Sequence, residues 1–78
     1  MTTVNISLNS IDKVKSFVNT ISQFKFDFDL ISGRYVIDGK SIMGIFSLDL
    51  SKPIELNIHT EDGEETEQVM ESLKPYLV

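Results

Sequence analysis

Lys25-Phe26-Asp27-Phe28-Asp29-Leu30-Ile31-Ser32-Gly33-Arg34-Tyr35-Val36-Ile37-Asp38-Gly39 is the stretch whose reading decides the fold. Phe26, Phe28 and Leu30 alternate with Lys25, Asp27 and Asp29, the period of a strand with one buried and one wetted face. Ser32-Gly33 is a turn signal, and Tyr35-Val36-Ile37 completes a hairpin that ends at Asp38-Gly39.

Upstream, Val4, Ile6 and Leu8 alternate with Asn5 and Ser7, which predicts a first strand. Ser10 then stands where a helix N-cap belongs, its hydroxyl able to accept from a free backbone N–H, and Asp12 falls in the positive first turn. Ile11, Val14, Phe17, Val18, Ile21 and Phe24 follow at helical spacing, opposite Asp12, Lys13, Lys15 and Asn19. Downstream, Ser41 to Leu48 predicts a short apolar helix of about two turns with Gly44 inside it. Pro53 opens a fourth strand, in which Ile54, Leu56 and Ile58 alternate with Glu55, Asn57 and His59. Asp62-Gly63 turns the chain into a last helix from near Glu64, with Glu64, Glu65 and Glu67 at its positive end. Val69, Met70, Leu73 and Leu77 form its apolar stripe, and Pro75 loosens its final turn. The order is β-α-β-β-α-β-α. Strands apolar on one face only predict an α+β, two-layer sandwich: an antiparallel sheet with helices on one side and water on the other.

The 78 residues are read as a single domain, 1–78. A chain this short buries only about 60% of its unfolded surface, so its core is thin. There is no cysteine, hence no disulfide or thiolate metal site. Net charge is −5, from 12 acidic and 7 basic residues, and the basic ones are scattered. That balance disfavours direct nucleic-acid binding and attachment to anionic membranes. Met1 to Asn5 lacks a basic stretch followed by an apolar run, and no apolar segment nears the ~20 residues a membrane span needs. A cytoplasmic protein is expected.

Lys40-Ser41-Ile42-Met43-Gly44-Ile45-Phe46-Ser47-Leu48 resembles the regulatory segment of HPr, the histidine phosphocarrier of the bacterial phosphoenolpyruvate-dependent sugar phosphotransferase system. The family carries K-S-[IL]-M-G-hydrophobic-hydrophobic-S-L at the start of its second helix, and the spacing agrees from the first strand through the fourth. The resemblance implies the HPr-like βαββαβα open-faced sandwich, a four-stranded antiparallel sheet with three helices on one face. The family's other signature is G-[IL]-H-A-R-P-A at the end of the first strand, where the histidine accepts the phosphoryl group and the arginine stabilises it. Here that segment reads Leu8-Asn9-Ser10-Ile11-Asp12-Lys13-Val14. Ser10 stands at the histidine position, Asp12 at the arginine position and Lys13 at the proline position. A hydroxyl has no nitrogen lone pair to form a high-energy phosphoramidate, and Asp12 puts negative charge where a dianion needs positive. The expectation is a chain without phosphoryl relay, and not an enzyme.

The resemblance also implies that Ser41 is a site of regulatory phosphorylation by an HPr kinase. On the bare sequence it is an N-cap, accepting from the amide of Met43 or Gly44. Ile42, Met43, Ile45 and Phe46 cannot all be buried by one face of so short a helix. Lys40, Ile42, Met43 and Phe46 are the expected partner-binding residues, Met being adaptable and Phe a common anchor at such surfaces. The sole histidine, His59, reads as a solvated strand-face side chain with no role. Glu61-Asp62, Glu64-Glu65 and Glu67 lack the ligand spacing of a calcium loop, so no metal and no cofactor are expected. The expected partners are proteins: an HPr kinase, a transcription regulator or sugar-transport components. The catabolite-repression HPr-like proteins are similar in lacking the histidine, keeping the serine and serving as corepressors when phosphorylated. Two other readings stay open at this level, a working phosphocarrier of unusual chemistry and an interaction domain that keeps only the fold.

Overall fold

The computed structural model describes residues 2–60 and 64–78. Met1 and Glu61, Asp62 and Gly63, where the sequence predicts a turn, lie outside the described residues. Strand β1 (Thr2–Ile6) leads into helix α1 (Ile11–Ile21), then the hairpin of β2 (Phe28–Ser32) and β3 (Tyr35–Asp38). Helix α2 (Ile42–Phe46), strand β4 (Ile54–Ile58) and helix α3 (Glu64–Leu73) follow, and a 3-10 turn at Lys74–Tyr76 continues α3. The predicted order of elements is the observed one.

Strand order is β1-β4-β2-β3, and each neighbouring pair is antiparallel. Val4 pairs with Leu56, Leu56 with Leu30, and Leu30 with Ile37, so one apolar row crosses all four strands. Ile6 with Ile54, and Phe28 with Ile58, flank that row on the same face. The other face carries the row Thr3, Asn57, Asp29 and Asp38, with the Thr3 hydroxyl donating to Asn57 Oδ1 at 2.8 Å. The inner face packs under Val14, Phe17 and Ile21 of α1, Ile45 of α2, and Val69 and Leu73 of α3, all in one buried cluster. Each such side chain contributes about 1.5–3 kcal/mol through burial. The fold is therefore the α+β open-faced sandwich, with its helices on one face.

The C-terminus closes the structure. Tyr76 meets Phe17 edge-on, with ring centroids 5.6 Å apart at 81°, and shares a 2.5 Å hydrogen bond with the Ser16 hydroxyl. Its carbonyl accepts from Ser7 N at 2.8 Å, while Leu77 bridges to Ile6 and covers the open edge of β1.

Two glycines are required by the backbone. Gly33, at φ +60°, is the first central residue of a two-residue hairpin loop, the position where a type II′ turn needs glycine. At Gly39 the N–H donates to Phe28 O at 2.6 Å, and a Cβ would lie 3.1 Å from Phe28 Cβ and O.

Several element details differ from expectation. Ile11 continues the α1 stripe one turn beyond the core and is 62% exposed. Helix α1 ends at Ile21 because the following residues close into tighter bonds, Gln23 N to Thr20 O at 3.4 Å and Phe24 N to Ile21 O at 3.1 Å. Phe24 thus leaves the helix and tilts against Phe28, 6.5 Å between rings. Pro75, which has no N–H, tightens the end of α3 and sends Leu77 to β1 instead of along the helix stripe.

Phe17→Ala should cost about 3–5 kcal/mol, because a fully buried ring is removed and Tyr76 loses its edge contact. A domain of this length has about 4–12 kcal/mol in total, so the urea midpoint should fall by at least about a quarter. A midpoint within a tenth of the parent's would contradict this view of the core.

Candidate functional site

Helix α1 starts at Ser10, whose backbone is extended at φ −147° and ψ 157°. Its Oγ accepts from Lys13 N at 3.1 Å and its carbonyl from Val14 N at 3.1 Å. The hydroxyl is thereby engaged as a cap, satisfying one of the amides left free at a helix start. Asp12 is exposed in the first turn, where a carboxylate is favoured by the helix dipole and a second anion beside it is not.

Helix α2 starts at Ser41, at φ −92° and ψ 97°. The Ser41 Oγ accepts from Gly44 N at 3.4 Å, and its carbonyl accepts from Ile45 N at 3.0 Å. A Cβ at Gly44 would approach that Oγ to 3.2 Å, so the absent side chain leaves room for the cap. Lys40 is half-buried: its ammonium donates to Phe24 O at 2.9 Å and stands 5.6 Å from the Phe28 ring centroid. Its N–H donates to Asp38 Oδ1 at 3.0 Å. Lys40 is thus fastened to its own chain, and it ties the start of α2 to the segment just beyond α1.

On α2, Ile45 is fully buried and Ile42 half-buried against the core, while Met43 is 77% and Phe46 39% exposed. At about 100° per residue one turn must divide its four apolar side chains this way.

These residues do not converge on one pocket. The chain leaves β1 at the sheet end where Ile6 pairs with Ile54, and leaves β3 at the opposite end, where Asp38 and Asn57 flank Asp29. Ser10 and Asp12 therefore mark one end of α1, and the Lys40–Phe24 contact puts Ser41 near the other. A surface depression of about 650 Å³ is lined by residues that include Ile31, Arg34, Tyr35, Lys52 and Glu55, and by none of Ser10, Asp12, Ser41 or Met43.

His59 has a partner that sequence spacing does not reveal, its Nε2 lying 2.6 Å from Asp29 Oδ2 across the β4–β2 pair. Among the described residues no group of three or more His, Asp or Glu side chains could hold a metal ion. No helix among them is long and apolar enough to cross a membrane.

The element order and sheet topology, with serine capping the starts of α1 and α2, define a small α+β open-faced sandwich of the βαββαβα class. The chain belongs to the HPr family of the phosphotransferase system: residues 13–78 match the family described as the PTS HPr component phosphorylation site. The match begins just after Ser10, Ile11 and Asp12.

HPr-C-His from Thermoanaerobacter tengcongensis is similar at 28% identity and a TM-score of 0.73, covering 94% of this chain and 90% of that one. The phosphocarrier protein HPr of Bacillus anthracis str. Ames is similar at 25% identity and a TM-score of 0.68, covering 99% and 94%. The histidine-containing phosphocarrier protein of Mycoplasma shares the fold at 18% identity and a TM-score of 0.66, over 95% and 86%. A search of curated proteins returns no significant match.

Ser10→Ala should lower stability by about 1 kcal/mol, and Ser10→Asn, which can cap, should keep most of it; thermal melts of both variants check this. In the loop after α2, the Ser51 hydroxyl and then its N–H donate to Asp49 Oδ1, at 2.5 and 3.0 Å, and hold the Asp49 carboxyl below the usual range. The folded pKa being lowered, these bonds stabilise the fold above the ordinary aspartate pKa, and the effect fades as pH falls through the folded value. Carbon NMR titration should place Asp49 below a typical aspartate, and Ser51→Ala should raise it.

Proposed function

We propose that this chain is a non-catalytic HPr-family protein of the cytoplasm that acts by contact with other proteins and is switched by phosphate on Ser41. The observation that carries the reading is the start of α1, which offers a capping alcohol beside Asp12. A reversible phosphoryl relay needs an imidazole there, and by the family's spacing Ser10 and Asp12 replace its histidine and arginine. His59 is no substitute. It sits past the end of β4, where its Nε2 is engaged by Asp29 Oδ2 at 2.6 Å.

The contact surface we assign is α2, with Met43 and Phe46 as anchors, Ile42 supporting them from the core side and Lys40 fixing the helix start. Ser41 is exposed one residue from Ile42 and two from Met43, so a phosphate there changes the charge at the rim of an apolar patch. Its oxygens would face the first amides of α2, which limits the cost to the fold. The partners are an HPr kinase and a transcription regulator or sugar-transport component that reads the modified face.

Incubation with HPr kinase, ATP and magnesium should add one phosphate, mapped to Ser41 by mass spectrometry and lost in Ser41→Ala. Incubation with Enzyme I and phosphoenolpyruvate should add none. Acid-labile phosphate on the protein in that second reaction would establish a working phosphocarrier instead. Failure of the kinase reaction would remove the switch and leave the contact surface to be tested through Met43→Ala.

A further inference from the structure

The two edges of the sheet end differently. β1 is covered by the C-terminal residues, through the Ile6–Leu77 bridge and the Val78 N–Asn5 O bond of 3.2 Å. β3 pairs with β2 on one side and, among the described residues, has no strand on the other. Because Gly33-Arg34 is a two-residue loop, Ser32 and Tyr35 close the hairpin as a hydrogen-bonded pair, and Val36 opposite Ile31 is a non-bonded pair. The N–H and C=O of Val36 therefore point away from β2, out of the sheet. Its side chain lies on the solvent face and is 64% exposed, next to Tyr35 at 71%.

We propose that β3 pairs with β3 of a second copy, antiparallel about a two-fold axis at Val36, joining the two four-stranded sheets into one weak homodimer. Charge selects both the partner and the register. Centred on Val36, the pairing sets Tyr35 opposite Ile37 of the second copy and brings Arg34, the loop residue just before β3, to Asp38 of the second copy at both ends. Arg34 makes no ion pair within its own chain among the described residues. Moving the centre by one residue to Ile37 sets Arg34 opposite Lys40 and loses both charge pairs. The Val36 register also lets the outward N–H and C=O groups of the two Val36 residues bond to each other. The edge is four residues long and each copy carries a net charge of −5, so the dimer forms only at high protein concentration.

The full chain has no cysteine, so Val36→Cys introduces a single thiol on an exposed side chain. Directly opposed Cα atoms in a bonded antiparallel pair are about 5.5 Å apart, within the range of about 4.4–6.8 Å that a disulfide spans. Mild oxidation should convert Val36→Cys to a covalent dimer much faster than Ile11→Cys, an equally exposed site on α1. In sedimentation equilibrium up to millimolar protein, Arg34→Asp should weaken association about tenfold, and adding Asp38→Arg to it should restore the dimer. Equal cross-linking at the two sites, a monomer throughout the concentration range, or a dimer indifferent to Arg34→Asp would each overturn the proposal.

Discussion

The apolar row Val4, Leu56, Leu30 and Ile37 is the constraint on which the molecule depends, because it gives the sheet one dry face and only one. A small domain has too little apolar surface for two cores, so all three helices must share that face. Helix α1 supplies the fully buried Phe17, and Tyr76 locks onto that helix with its ring against Phe17 and its hydroxyl on Ser16. The same arrangement leaves the other face to Thr3, Asn57, Asp29 and Asp38, where polar side chains bond to each other or to water.

Placing every helix on one side leaves the serine-capped starts of α1 and α2 exposed. At Ser10 the cap sits beside a carboxylate. At Ser41 it sits beside exposed Met43, on a helix too short to bury its own apolar residues. The chemistry of the two starts differs for that reason, although the capping geometry is similar. Lys40 ties the start of α2 to the far end of α1, since its ammonium donates to Phe24 O just beyond that helix.

Much of this was legible in the residues. Strand period along Phe28 to Leu30 and Ile54 to Ile58, the glycine at Gly33, and the serines before Ile11 and Ile42 are local signals, and each led to the element found. The acidic run Glu61-Asp62 falls outside the described residues and its reading stands as an expectation. What misled was periodicity extended too far: Ile11 and Phe24 keep helical spacing, yet one lies beyond the core and the other beyond the last helical bond. Lys40, expected from the sequence to bind a partner, has its part-buried ammonium against a carbonyl and an aromatic ring of its own chain, contacts that no local pattern shows.

By itself the sequence determined the order of elements, the one-sided sheet and the two capped helix starts, since each depends on residues within a few positions of one another. Only the tertiary structure decided that Asp29 holds His59, that Tyr76 reaches Ser16, that the C-terminus seals β1 and that β3 stays open. Those contacts join residues far apart in the chain, and no local pattern encodes them. They exist because strand register and helix packing bring distant side chains within bonding distance once the shared apolar face has closed.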